Sequence, residues 1–90
     1  MSPSRRKALR EAVEHCGVSK IEVEACQREY ALAHDAYNAL VTENPPKKRS
    51  GTTIENMRRH ALAAYEALLD AMRVHSDNLA HIAALRGTSF

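Results

Sequence analysis

Apolar residues recur along most of this chain at alternating spacings of three and four, the mark of helices that pack lengthwise on one another. From Lys20 to about Glu43 the series is Val23, Cys26, Tyr30, Ala33, Tyr37 and Leu40. Glu22, Glu24, Glu29 and Asp35 fall off that series and are expected to face water. Between Thr53 and Arg86 two apolar stripes run side by side. One is Met57, Ala61, Ala64, Leu68, Ala71, His75, Ile82 and Leu85; the other is Leu62, Tyr65, Leu69, Met72, Leu79 and Ala83. A shorter series, Leu9, Ala12, Val13 and Cys16, marks a first helix from Ser4 to Cys16.

Start and stop signals divide these segments. Ser4 is a candidate cap for the first helix, and Gly17 suits the left-handed position after its end. Ser19 and Glu22 have capping-box spacing, with Val18 placed for a hydrophobic staple, so a second helix is expected to start there. A lone glycine costs a helix only about 1 kcal/mol, which leaves open whether the first two helices are continuous through Gly17. Asn44-Pro45-Pro46 ends the second helix, because a residue before proline disfavours helical geometry. The loop runs to Gly51, Thr52 and Glu55 offer another capping box, and Gly87 closes the third helix.

The expected architecture is all-α and one domain, residues 1–90. A long antiparallel hairpin, Lys20–Glu43 against Thr53–Arg86, carries the short helix Ser4–Cys16. The assembly is a three-helix bundle or a dimeric four-helix-type bundle. The double stripe bears on which. A hairpin needs one apolar stripe per helix, and a first helix of about 18 Å covers roughly a third of the long one. The stripe Leu62, Tyr65, Leu69, Met72 and Leu79 is therefore expected to be a protein interface, with a second copy or with another protein.

Composition sharpens this expectation. Hydrophobic residues make up 44% of the chain, but much of that is alanine; Trp is absent and the one Phe is Phe90. Alanine gives strong helices and little burial energy, so the core of a 90-residue chain will be thin. Small scaffolds of this kind gain from a partner that hides the remaining apolar surface. No stretch is long and apolar enough to cross a membrane, and the basic start Arg5-Arg6-Lys7 is not followed by an apolar signal core. The expected location is the cytoplasm.

Net charge is +2, distributed in blocks: basic over residues 1–20, acidic over 21–44, basic over 45–60 and nearly balanced beyond. Lys47, Lys48 and Arg49 in the loop and Arg58 and Arg59 on the next helix gather at one hairpin tip, where they could meet phosphates or an acidic partner. Against a nucleic-acid role, the loop has no aromatic residue for base stacking, and Glu55 is spaced to pair with both Arg58 and Arg59.

Candidate chemistry is sparse. His15, His34, His60, His75 and His81 include no pair three or four apart, the spacing that two metal ligands on one helix need. The His-Glu-x-x-His and phosphate-loop patterns are missing, and nothing sets Cys16 or Cys26 in an electropositive pocket. No metal, cofactor or catalytic residue is expected, and no enzymatic activity. Small secretion-system hairpins share the two-helix outline, but the Trp-x-Gly type carries a tryptophan at the turn that this chain lacks. The function expected from these features is non-enzymatic: a protein-binding regulator, an adaptor or inhibitor that occupies a surface of a larger protein or complex. Small helical proteins of phages and mobile elements belong to that class. The alternative is a helical nucleic-acid binder that uses the basic tip.

Overall fold

The computed structural model describes residues 2–43 and 51–87, and these form two helices packed side by side. Helix α1 spans Pro3–Val41 and helix α2 spans Gly51–Leu85. The all-helical hairpin is as expected; the separate short first helix is not. There is no break at Gly17, so the molecule is a two-helix hairpin and not a three-helix bundle. With extents of 66 × 23 × 17 Å it is a rod. Its radius of gyration is 19.9 Å, against about 12 Å for a compact domain of this length.

One seam explains why both helices run so far. On α1 the less exposed positions include the series Leu9, Ala12, Cys16, Ser19, Val23, Cys26, Tyr30, Ala33, Tyr37 and Leu40, with Ala8 and Ala25 beside it. On α2 the matching series is Ile54, Met57, Ala61, Ala64, Leu68, Ala71, His75, Asn78, Ile82 and Leu85, with Glu55 beside it. Both series alternate three and four without a slip, which is the heptad rule of a two-stranded coiled coil. The expected seams on either side of the loop are therefore present. The α1 seam also carries on through Gly17 to Leu9, because contacts before and after the glycine outweigh its helix penalty of about 1 kcal/mol.

Capping differs from expectation for the same reason. Ser2, not Ser4, caps α1: its Oγ accepts from the Arg5 amide at 3.2 Å, with Pro3 following in the first turn. Ser19 is no cap; it is buried in mid-helix, and Val18, the expected staple, is 66% exposed. Helix α1 ends at Val41, where the Thr42 amide and Oγ1 both donate to the Asn38 carbonyl, at 3.0 and 2.7 Å. Helix α2 is already under way at Gly51, so Thr52 is a helical residue and not its cap. Its far end is closed from across the seam. Arg5 Nε donates to the Leu85 carbonyl at 2.6 Å, placing a cation on the negative end of the helix dipole. Gly87 has φ 66° there, and a Cβ would lie 2.7 Å from the Arg5 guanidinium.

The most buried positions of the seam are mostly small side chains, and the larger ones are half-buried. The buried apolar residues are Ala12, Ala33, Ala61, Ala71 and Ile82, joined by Ser19. No large side chain is fully buried among the described residues. Val13, assigned above to the packed face of the first helix, is 46% exposed. Alanine at the most buried positions fills little of the space between the helices. The cost is that little apolar area leaves water.

Candidate protein interface on the second helix

Leu62, Tyr65, Leu69, Met72 and Leu79 are 48, 42, 48, 47 and 51% exposed. Each follows a seam residue by one position, as Leu62 follows Ala61 and Met72 follows Ala71, so the five form a stripe along one flank of α2. Toward the loop end this flank deepens into a groove lined by Tyr30, His34, Tyr37 and Asn38 of α1 and Arg58, Leu62 and Tyr65 of α2. The Tyr30 and Tyr65 rings meet at a centroid distance of 5.3 Å and 49°, and Tyr30 tilts against His34 at 5.7 Å. Tyr30 and Tyr37 are half-buried in the seam, whereas Tyr65 stands on the flank. The opposite flank carries a second groove, lined by His15, Val18, Glu22, Asp70, Arg73 and Val74 and more mixed in character.

The seam also contains a polar layer that the sequence reading found only in part. His75 was expected half-buried on the seam and is. Its partners come from α1. Ser19 Oγ donates to the Cys16 carbonyl at 3.0 Å and stands 2.8 Å from His75 Nδ1. The hydroxyl and Nδ1 are within hydrogen-bond distance, and which of them donates follows the imidazole tautomer. Cys16 Sγ lies 3.9 Å from the same nitrogen, and Asn78 Nδ2 donates to the His15 carbonyl at 3.4 Å. Ser19 and Asn78 sit on the three-and-four rhythm of the two seams, and that spacing was the signal available for them. Cys16 and Cys26 are free and share one helix, about 15 Å apart along it, too far for a disulfide.

The other candidate residues fare unevenly. Lys47, Lys48 and Arg49 lie outside the described residues. Arg58 and Arg59 both pair with Glu55, at 3.1 and 3.3 Å, in exposed intrahelical ion pairs as their spacing implied. Part of the charge of the basic group is thus answered within α2. Among the described residues no three His, Cys, Asp or Glu side chains come together as a metal site, and no helix is long and apolar enough to cross a membrane.

No family model, curated protein or solved structure matches this chain. What the molecule can do is therefore read from its own surface. The flank of α2 combines a line of half-exposed apolar side chains with a tyrosine that carries a polar tip.

Proposed function

We propose that this protein is a non-enzymatic interaction module, a regulator or adaptor that works by laying the apolar flank of α2 against another protein surface. One observation carries the reading: the most buried apolar positions are four alanines and Ile82, while Leu62, Tyr65, Leu69, Met72 and Leu79 stand about half exposed along one flank of α2. A chain optimised to stand alone would reverse that arrangement, because a buried leucine contributes about 1.5–3 kcal/mol and a buried methyl only about 0.8. The five flank residues follow one helical stripe, the form in which a helix enters an apolar groove or a bundle. Lengthwise docking against helices needs no change in the fold.

The test compares the wild-type chain with Leu69→Asp in two assays: self-association by light scattering, and capture of other proteins by the immobilised chain. Leu69 is 48% exposed and lies off the seam series, so helicity should hold while association falls by at least tenfold. Associations that ignore Leu69 in both assays would reject the reading. A low-salt gel shift that survives Leu69→Asp and is abolished by reversing Lys47, Lys48 and Arg49 would replace it with nucleic-acid binding.

A further inference from the structure

We infer that the occupant of the α2 flank is a second copy of this chain, with the two α2 helices packed antiparallel. The inference rests on the docking reading above and specifies its partner. Extended through Arg58, Ser76 and Ala83, the flank is a complete second heptad series: 58, 62, 65, 69, 72, 76, 79 and 83 alternate four and three throughout. All eight positions are exposed. A helix that carries two adjacent heptad seams is built to contact two helices, and α1 takes only one of them.

The sequence of the stripe is complementary to itself in the reverse direction. A two-fold axis perpendicular to the helix, passing between Leu69 and Met72, sets Leu69 against the second copy's Met72 and Leu62 against its Leu79. It sets Tyr65, the largest member, against Ser76, the smallest side chain but Ala83, and Arg58 against Ala83. On the outer edge of this seam Glu66 comes level with Arg73 of the second copy, twice by symmetry, once the guanidinium swings from the opposite groove that it lines in the single chain. In the single chain Arg73 is turned to Asp70 at 2.7 Å, and both are more than 70% exposed, so its five donors can serve a second carboxylate. A parallel pairing would bring Arg58 onto Arg58 and Tyr65 onto Tyr65 and leave Glu66 without Arg73. The register thus selects the antiparallel dimer on size and on charge.

The exposed area fits. The chain exposes 6957 Å², about 1700 Å² more than a compact monomer of its mass, and a standard interface takes about 800 Å² from each partner. Packing from Leu62 to Ala83 runs about 32 Å along the helix. The product is a four-helix assembly in which the flank leucines become the core that a single hairpin lacks.

Light scattering of the full chain across concentration should give about twice the 10.0 kDa chain mass. Glu66→Arg and Arg73→Glu should each raise the dimer dissociation constant roughly tenfold, since each replaces two attractive contacts by two repulsive ones. The double variant should return it to within about threefold of wild type. Both residues are exposed, so circular dichroism should show unchanged helicity, and Glu66→Arg leaves the Asp70–Arg73 pair in place as a control. A chain that stays monomeric while another protein is captured through Leu69 overturns this inference and leaves the docking reading standing. A dimer indifferent to the single swaps, or not restored by the double, overturns the antiparallel register.

Discussion

Replacing Gly17 by alanine should stabilise this protein, although glycine in a chain of strong helix formers suggests a required break. Gly17 lies in the middle of α1, fifteen residues from its start, with helical geometry and no positive φ. A Cβ built there meets nothing within 4 Å. The new methyl therefore carries no steric cost, and the change acts through the backbone: alanine loses less conformational entropy than glycine on entering a helix. That difference is about 0.8–1.0 kcal/mol per chain. For a chain of 60–100 residues it corresponds to a rise in Tm of about 4–8 °C. If the hairpin unfolds as a two-state dimer, each dimer carries two substitutions, and its unfolding free energy should rise by about 2 kcal/mol. The assay is thermal and urea unfolding followed at 222 nm, with both proteins at one concentration because association makes Tm concentration-dependent. An unchanged or lowered Tm would refute the reasoning. It would mean that the helix is interrupted at Gly17, or that another chain occupies the space outside it.

Two further substitutions test the seam. Ala71→Leu adds three heavy atoms at a buried seam position; it should cost about 1–3 kcal/mol in urea unfolding, and an unaffected midpoint would show the seam to be loose. Ser19→Ala removes the hydroxyl 2.8 Å from His75 Nδ1 and should cost about 1 kcal/mol, whereas pairing it with His75→Leu makes the layer apolar and should recover that loss. Unfolding midpoints of the single and double variants decide this, and a double variant less stable than Ser19→Ala would show that the layer is held by packing and not by the hydrogen bond.

Much of this molecule was legible in its residues. Val23 to Leu40 and Met57 to Leu85 could be read as seams because a helix buried on one side against another must repeat its small and apolar residues every 3.5 positions. The flank from Leu62 to Leu79 was legible for the same reason, as a stripe left over when one partner had been served. The positive φ of Gly87 and the pairing of Glu55 with Arg58 and Arg59 are local effects, fixed by residues three or four apart.

What tertiary structure decided are the places where local signals and the seam disagree. Ser19 and Glu22 spell a helix start, yet Ser19 bonds to His75, 56 positions away, and sequence spacing carries no trace of that distance. Gly17 spells a stop, yet packing on both sides of it outweighs a penalty of about 1 kcal/mol. Arg5 reads as one of a basic group, and only the antiparallel return of α2 makes it the cap on Leu85. The same return chose which stripe of α2 lies inside. A helix turns one side to its partner, so with the stripe of Ala61, Leu68, Ala71 and Ile82 inside, Leu62, Leu69 and Leu79, each one position past a seam residue, are left facing outward.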